Sequence, residues 1–176
     1  GFNTPNQTVI SGEEQEILHL HDVLQNRQIN SIKLPVSHAF HSPLVANSAS
    51  CLEEFLESKS FQPLQKDVFS TVRGQKLCSD ENLWDLLIHQ IVNPVQFLDA
   101  VEAAEKSGID LWIEVGTGKI LCGLIEKISQ TPAISLQVGS ESLSGLWQAV
   151  GASFAFGQRI NQRELFAERF TKPFDL

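Results

Sequence analysis

The sequence predicts an α/β fold with a parallel sheet. Residues 110–115 (Asp-Leu-Trp-Ile-Glu-Val) are almost wholly apolar, which is typical of a strand that is buried on both faces of a parallel sheet. The turn Gly116-Thr117-Gly118-Lys119 follows directly and leads into a helix, which is the order of elements in a βαβ unit. Shorter strand-like runs and amphipathic stretches alternate through the rest of the chain, as expected for this fold class.

Each element follows from its local pattern. Strands are predicted where β-prone runs are bounded by turn residues, at 7–10, 30–36, 68–72, 110–115 and 134–138. Helices are predicted where apolar residues recur at helical spacing, at 11–28, 43–58, 80–91, 97–106, 120–129 and 143–156. The predicted N-caps are Ser11, Ser42 and Asp80, and Gly108 is the predicted end of helix 97–106. Residues 158–176 are predicted to form a surface linker.

Composition limits the classes of function. The chain has 176 residues, 42% of them hydrophobic, which suffices for the core of one domain or of one domain and a piece. A net charge of -8 argues against nucleic acid and anionic membrane surfaces as partners. Cys51, Cys78 and Cys122 are scattered, which predicts reduced thiols in a cytoplasmic protein and no metal site. The chain begins at Gly1 and contains no Met, so we expect it to be part of a longer protein.

Two histidines, His38 and His41, follow the predicted strand 30–36. Ser42 and Pro43 then open the next helix, with Ser42 as N-cap and Pro43 in the first turn, where a missing amide is tolerated. A histidine between a strand end and a helix start is held by rigid elements beside a cleft, which suits acid–base chemistry. A satisfied structural histidine is the commoner outcome, and spacing alone favours it.

The Gly-rich turn at 116–119 allows two interpretations. A turn that leads into a helix can present backbone amides to a phosphate group. Gly-x-Gly-Lys lacks the rest of a phosphate-loop or dinucleotide pattern, however. A tight turn at the carboxyl edge of a sheet is therefore the favoured interpretation.

Four segments of the chain carry motifs of one family. Residues 3–12 match Asn-x-Pro-x-Gln-x-Val-Ile-x-Gly, and residues 38–41 read His-Ala-Phe-His. Residues 93–97 match Asn-Pro-Val-Gln/Arg-Phe/Trp, and residues 114–121 match Glu-x-Gly-Pro-Gly-Lys-x-Leu with Thr117 in place of Pro. In this order they resemble the malonyl-CoA:acyl carrier protein transacylases and the acyltransferase domains of type I polyketide synthases.

The resemblance implies a specific domain organisation. Residues 1–35 would be part of a small ferredoxin-like subdomain, and residues 36–157 the C-terminal part of a large α/β-hydrolase-like subdomain. Residues 158–176 would be the linker that follows such domains in a synthase. The family's nucleophile lies in a Gly-His-Ser-x-Gly elbow, and no Gly-x-Ser-x-Gly occurs in this chain. We therefore expect this chain to be the C-terminal part of an acyltransferase and to be inactive without the serine half.

The resemblance also implies roles for individual residues. His41 would be the general base, and the backbone carbonyl of Gln96 would hold its other ring nitrogen. Phe40 would lie beside the acyl pocket and disfavour an α-methyl branch. His38 would shape the pocket or merely pack there, and Asn3 would bind the substrate or serve as a turn residue.

The implied function is malonyl transfer from malonyl-CoA to the phosphopantetheine thiol of an acyl carrier protein, with no tightly bound cofactor. The expected partners are the acyl carrier protein, the missing N-terminal half and neighbouring synthase domains, and neither nucleic acid nor a membrane. Two alternatives remain at this point. One is a non-catalytic remnant that docks carrier protein or serves only a structural role, and the other is a hydrolase.

Overall fold

A computed structural model of the protein describes residues 1–167, which divide into two compact units. Unit 1 comprises Gly1–Gly108 and Lys127–Ser129, and unit 2 comprises Ile109–Glu126 and the described residues from Gln130 onward. The return of the short segment Lys127–Ser129 to unit 1 is secured by a hydrogen bond of 2.7 Å from the Ser129 hydroxyl to the Glu105 carboxylate.

Unit 1 begins with a small antiparallel ribbon. Strands β1 (Phe2–Thr4) and β2 (Gln7–Thr8) pair so that Phe2 lies opposite Thr8 and Thr4 opposite Gln7. The Thr4 hydroxyl is buried and accepts a hydrogen bond from the Asn6 amide, which closes the turn between the two strands. Helix α1 (Glu14–Asn26) follows, and none of its residues is buried.

The rest of unit 1 is built around helix α4. Its elements are a short 3₁₀ turn (Pro43–Val45), α2 (Asn47–Leu56), β3 (Phe69–Ser70), β4 (Gln75–Lys76), α3 (Leu83–His89) and α4 (Phe97–Glu105). The buried face of α4 carries Ala100, Val101 and Ala104, and α4 packs against β1 and the hairpin β3–β4. The small side chains on this face let the backbones approach closely. The hairpin turn also comes close to α4 at Gly74, where an added Cβ would lie 2.9 Å from the Asp99 Cβ.

Unit 2 contains a two-stranded parallel sheet. Strand β5 (Trp112–Glu114) pairs with β6 (Ala133–Ser135), with Ile113 opposite Ile134. The helices of this unit are α5 (Ile120–Ile125), α6 (Ser144–Ala155) and α7 (Gln162–Leu165). The buried residues are Cys122 and Ile125 of α5, Gly145 and Ala149 of α6, and Ser135 of β6.

The first turn of α6 lies directly on β6. A Cβ built on Gly145 would be 2.8 Å from the Leu136 carbonyl carbon and oxygen, and it would also overlap the Ser135 carbonyl oxygen. Only a residue without a side chain allows this approach.

Several elements confirm the sequence predictions. The parallel pair β5–β6, the helix start at Phe97 after Pro94, and α6 are present with small shifts at their ends. Ser42 caps the 3₁₀ turn by accepting a hydrogen bond of 3.3 Å from the Leu44 amide, with Pro43 in the first position.

The predicted strand at 30–36 is wrong. No strand forms there, and Ile32 is 79% exposed. A strand needs a hydrogen-bonded neighbour, and among residues 1–167 none lies alongside this segment. The segment is instead held on its polar side, where Lys33 pairs with Glu14 of α1 at 2.8 Å and Ser31 contacts His21 at 2.9 Å.

Other boundaries also differ from the predictions. Helix α1 begins at Glu14 without a side-chain cap, so Ser11 is not its N-cap, and Asn82 rather than Asp80 caps α3. The strand predicted at 68–72 contracts to Phe69–Ser70 because the turn of the hairpin starts at once. The helix predicted at 120–129 ends at Ile125. The predicted linker includes α7, and residues 168–176 lie outside the described residues.

The strand at 110–115 is not buried on both faces. It is shorter than predicted, and Ile113 and Val115 are 42% and 75% exposed. Within the described residues β5 has a neighbouring strand on one side only.

No helix within residues 1–167 is both long enough and apolar enough to cross a membrane.

Candidate active site

A pocket of about 450 Å³ lies in unit 1 around the second histidine of the His-Ala-Phe-His segment. Its lining comprises three residues of that segment and four from the helical elements beside it: His38, Phe40, His41, Val45, Ser48, Gln90 and Ile91. Sequence analysis identified the first three, and it missed the other four. The lining is mainly apolar with a few polar groups, which is the usual composition of a small-molecule site.

The ring of His41 is held by a backbone carbonyl. Its Nδ1 lies 3.0 Å from the carbonyl oxygen of Gln90. Because a carbonyl can only accept, Nδ1 carries the hydrogen, and the neutral ring then keeps a lone pair on Nε2. This is the tautomer that a general base requires.

The backbone of His41 is also unusual, because its φ of 57° lies in the left-handed region. Such a conformation in a residue with a side chain costs about 1–3 kcal/mol. Gln28 and Gln137 also adopt it, so the ring contact and the pocket, rather than the φ value alone, distinguish His41.

Buried Ser42 holds this turn in place. Its hydroxyl donates a hydrogen bond of 2.6 Å to the Ala39 carbonyl and accepts one from the Leu44 amide.

Phe40 and His38 lie on the same turn. Their ring centroids are 6.0 Å apart with an interplanar angle of 51°, and the Phe40 amide donates to the His38 carbonyl at 3.0 Å. The Ser37 hydroxyl lies 2.8 Å from Nδ1 of His38. Phe40 is 52% exposed, so its ring forms part of the accessible wall of the pocket.

The predicted role of Gln96 needs a correction. The carbonyl that contacts His41 belongs to Gln90, whereas the Gln96 carbonyl accepts the Ala100 amide at 3.1 Å as the first bond of α4. Gln90 is the C-cap of α3, and the last carbonyls of a helix have no partner within the helix. The sequence signal that could have identified Gln90 is the Asn93-Pro94 pair, because a helix usually ends before such a pair and its last carbonyls then lack partners within the helix.

Asn3 and Gln96 lie near each other but do not line the pocket. Asn3 is in the middle of β1, where Phe2 forms a bridge with Gln96 and its amide donates to the Val95 carbonyl at 2.7 Å. The segments 3–12 and 93–97 therefore support each other structurally.

In unit 2, Glu114 is the last residue of β5, and its carboxylate lies at the start of α5, on the other side of the Gly-rich turn. Its carboxylate accepts hydrogen bonds from the amides of Leu121 at 3.1 Å and Cys122 at 2.9 Å. Burial acts to raise the pKa of Glu114, but these amides outweigh it, and the pKa is lowered overall. The amides that would bind a phosphate are thus used by the protein's own carboxylate, in agreement with the tight-turn interpretation.

The thiol of Cys122 lies beside that carboxylate. Burial, together with the negative charge of Glu114, raises its pKa to about 11. Cys122 is therefore a protonated, buried thiol, whereas Cys51 and Cys78 are exposed. Among residues 1–167 no group of three or more His, Cys, Asp or Glu side chains is arranged to hold a metal ion.

Comparisons with known proteins identify relatives of this chain, although no family model matches it. It is 30% identical over 130 residues to the malonyl CoA-acyl carrier protein transacylase of Bacillus subtilis, which corresponds to 73% of this chain and 41% of that protein. It superposes with a TM-score of 0.82, at 30% identity, on the acyltransferase domain of an iterative polyketide synthase of enediyne biosynthesis, covering 94% of this chain and 46% of that one.

A third relative is a malonyl-transacylase solved in complex with a type II polyketide synthase acyl-carrier protein. The TM-score is 0.75 at 28% identity, with 85% of this chain and 48% of that chain covered. The chain thus spans less than half the length of these relatives. By sequence and by fold, it belongs to the family of malonyl-CoA:acyl carrier protein transacylases and polyketide synthase acyltransferase domains.

Proposed function

We propose that this chain supplies the general-base histidine of an acyltransferase that moves a malonyl group from malonyl-CoA to an acyl carrier protein. The enzyme would belong to a cytoplasmic polyketide or fatty-acid synthase. The observation that carries the proposal is His41, whose Nδ1 is held by the Gln90 carbonyl while its backbone adopts a left-handed conformation beside a pocket.

The chemistry follows from the tautomer. A serine hydroxyl is a weak nucleophile, so a base has to remove its proton as the oxygen attacks the malonyl thioester. Nε2 of His41 accepts that proton, and the tetrahedral intermediate collapses with loss of the CoA thiolate, to which His41 returns the proton. The phosphopantetheine thiol of the carrier protein then attacks the acyl-serine, again with His41 as base, and the serine regains its proton.

The Gln90 carbonyl has two roles in this scheme. It holds the ring in one orientation, and its partial negative charge lies beside the ring when Nε2 accepts a proton and the ring becomes cationic. Because Gln90 is the C-cap of α3, its carbonyl also lies at the negative end of the helix dipole.

The acyl pocket would be bounded by Phe40 and His38. Malonyl-CoA has two hydrogens at its α-carbon, and a Phe ring beside this position disfavours an added methyl group. The exposure of Phe40 at the pocket wall supports this role. A role of Asn3 in substrate binding stays a prediction, since its neighbours in the structure are β2 and the loop at 95–96.

The acyl carrier protein is the proposed acceptor, with its phosphopantetheine thiol as the attacking group. The similarity to a malonyl-transacylase in complex with an acyl-carrier protein supports this partner. Malonyl-CoA enters as a substrate, and the proposal includes no tightly bound cofactor. Neighbouring synthase domains are further proposed partners.

The proposed domain organisation keeps the boundaries stated above. Residues 1–35 are assigned to a small ferredoxin-like subdomain, residues 36–157 to the large subdomain and residues 158–176 to the following linker. The antiparallel ribbon β1–β2 followed by α1 supports the first of these assignments.

The test uses intact mass after incubation with malonyl-CoA. The chain alone should gain no malonyl group on a serine, because it contains no Gly-x-Ser-x-Gly elbow. A grafted enzyme, in which the matched 73% of this chain replaces the 130-residue stretch to which it aligns in the Bacillus subtilis transacylase, should become acylated. A stoichiometric serine adduct on the chain alone would contradict the proposal that the nucleophilic serine is supplied by a portion outside this chain.

Variants of the grafted enzyme test the role of His41. His41→Ala should slow acylation by roughly 10²–10⁴-fold, the usual contribution of a positioned base. Gln90→Ala and Gln96→Ala are the matched controls. The first keeps the carbonyl that holds the ring and the second lies outside the pocket, so both should have small effects. Equal rates for His41→Ala and the unchanged enzyme would favour the non-catalytic docking or structural alternative, and release of free malonate would favour a hydrolase.

A further inference from the structure

Helix α3 determines where the Gln90 carbonyl lies, and with it the tautomer of His41. The helix has only seven residues, Leu83–His89, and Leu86 is the one that is buried. A helix this short gains little stability from its own hydrogen bonds, so packing against α2 and contacts with other neighbours have to hold it in place. The bond of 3.0 Å from the His41 ring to the Gln90 carbonyl depends on those neighbours, because hydrogen bonds tolerate little displacement.

One cation, Arg73, contacts two carboxylates at the start of α3. Its Nη2 lies 3.4 Å from Oε1 of Glu81, which directly precedes the N-cap, and 3.5 Å from Oδ2 of Asp85 in the first turn. The side chain of Glu81 is only 18% exposed. Nδ1 of His89 lies 2.8 Å from the Asp85 carbonyl oxygen and 3.1 Å from Oδ1 of the same residue. These contacts extend from Arg73 to the residue that precedes Gln90.

Arg73 is itself held by the turn of the β3–β4 hairpin. The buried Ser70 hydroxyl accepts hydrogen bonds from the amides of Val72 at 3.1 Å and Arg73 at 3.4 Å. The Thr71 carbonyl accepts the Gln96 amide at 2.6 Å, which ties the same turn to the start of α4. The guanidinium therefore links α3 to a turn that several backbone hydrogen bonds fix within unit 1.

The ion pairs of Arg73 are weak in energy but can fix an orientation. Solvent screens this side chain, which is 41% exposed, so the loss of its pairs should barely change the free energy of unfolding. A planar guanidinium between two carboxylates nevertheless restricts the helix that carries one of them. For a catalytic group, a displacement of about 1 Å can cost about 10²-fold in rate.

We propose that Arg73 is a positioning residue for the base His41. By holding Glu81 and Asp85, it sets the position of α3. The Gln90 carbonyl at the end of this helix then meets Nδ1 of His41. Arg73 lies outside the pocket lining and takes no part in the proton transfers. The kinetic part of this inference rests on the function proposed above, whereas its structural part does not.

The structural test measures the tautomer of His41 by ¹⁵N NMR of its neutral ring in the grafted enzyme. A ring whose nitrogens are both free in water carries its hydrogen mainly on Nε2, whereas the Gln90 carbonyl selects Nδ1. Arg73→Ala should therefore shift the ring towards Nε2–H. Lys76→Ala is the matched control, because Lys76 lies on the same hairpin, is 50% exposed and pairs with Asp67 at 2.7 Å instead of with α3. It should leave the tautomer unchanged.

The kinetic test measures malonyl transfer by the same enzymes. Arg73→Ala should lower kcat by about 3–30-fold and change KM by less than about twofold, because it disturbs the base and not the binding of malonyl-CoA. Lys76→Ala should leave the rate unchanged. In a His41→Ala background, adding Arg73→Ala should have no further effect, because the arginine acts only through the ring.

Two results would overturn the inference. One is a tautomer that stays the same in Arg73→Ala, whatever the rate, and the other is an equal loss of rate with and without His41. Asp85→Asn removes one of the two charges that face Arg73 and keeps the shape of the side chain, so it should shift the tautomer in the same direction. If urea unfolding shows that Arg73→Ala does not fold, Asp85→Asn replaces it, and an unshifted ring would be equally decisive.

The two readouts separate this inference from the proposed function. If Arg73→Ala shifts the ring but His41→Ala acylates as fast as the unchanged enzyme, the proposed function is wrong and the placement of the ring by Arg73 stands. If His41→Ala loses activity and the ring is unshifted in Arg73→Ala, the proposed function stands and Arg73 forms only a surface ion pair.

Discussion

The conformation of His41 is determined by contacts on both sides of its ring and backbone. The Gln90 carbonyl fixes Nδ1, and the buried Ser42 hydroxyl ties Ala39 to Leu44 across the turn. These contacts offset the cost of about 1–3 kcal/mol that the left-handed backbone of His41 carries. The residue thus has the features expected of a positioned base.

Phe40 should determine the choice between malonyl and methylmalonyl thioesters. Replacing Phe40 with Ser in the grafted enzyme removes the ring from the pocket wall and should relax the preference by at most about 1–3 kcal/mol, the usual effect of one methyl group. The measurement is the ratio of kcat/KM values for the two CoA esters in competition. His38→Ala is the control and should change the ratio less. An unchanged ratio in Phe40→Ser, whatever the absolute rate, would mean that the ring does not select the substrate.

Glu114 should make the stability of the protein depend on pH in the acid range. Its pKa is lowered in the folded state, so its contribution is fully present above the ordinary carboxyl pKa and is lost as the pH falls through the folded value. Urea unfolding of the grafted enzyme and of its Glu114→Gln variant, between about pH 3 and pH 7, measures this. The unchanged protein should be more stable at neutral pH, and the two curves should converge in acid. A constant difference would show that the charge is not responsible.

At the scale of elements, backbone approach shapes both units. The hairpin β3–β4 meets α4 at Gly74, and α6 meets β6 at Gly145. In both places the absent side chain lets two elements lie closer than any other residue would permit. The packing of α6 on β6 therefore requires a glycine at position 145.

Gly145→Ala should destabilise the protein by about 1–3 kcal/mol, as overpacking usually does. The added Cβ would meet the Leu136 and Ser135 carbonyl groups, which belong to the backbone and cannot turn aside. Gly151→Ala is the matched control, since Gly151 lies in the same helix, is exposed and has nothing within 4 Å of its Cβ position. There the higher helix propensity of Ala should stabilise by about 0.5–1 kcal/mol. Urea unfolding compares the two, and similar effects would contradict the close-approach explanation.

At the scale of the whole molecule, each unit exposes apolar surface. In unit 1 this surface includes Ile32, Leu34 and Val36 of the segment predicted as a strand. In unit 2 it includes Ile113 of β5 and the adjacent Val115. Groups of exposed large apolar side chains often mark a surface that another part of a protein covers.

The isolated chain should therefore self-associate. Sedimentation of the chain alone should show species larger than a monomer that increase with concentration, and co-expression with the unmatched portion of the Bacillus subtilis transacylase should suppress them. A stable monomer that unfolds cooperatively would show that the exposed apolar surface needs no cover.

The elements that sequence predicted best are those with local causes. Pro94 prevents a helix from continuing and Phe97 begins the next one, and Ser42 with Pro43 sets a helical turn; each depends on neighbours along the chain. The segment 30–36 has the composition of a strand, but pairing is a long-range property, and the described residues offer no partner.

The candidate site divides in the same way. His41, Phe40 and His38 were identified because their side chains carry a recognisable pattern. Gln90 was missed because its contribution is a main-chain carbonyl, which every residue has, and only the end of α3 at that position makes it available. Val45, Ser48 and Ile91 were missed because they reach the pocket through the packing of helices rather than through any motif.

The burial of Cys122 gives the chain an internal chemical probe. Alkylating reagents attack the thiolate, and with a pKa of about 11 this thiol has almost none at neutral pH, in addition to being shielded from solvent. A maleimide should therefore label Cys51 and Cys78, which both lie in unit 1, and leave unit 2 unmodified. Slow labelling of Cys122 would then report how often α5 separates from Glu114. Mass spectrometry of the three cysteines would thus follow local opening in unit 2, with the rapid labelling of Cys51 and Cys78 in unit 1 as the reference.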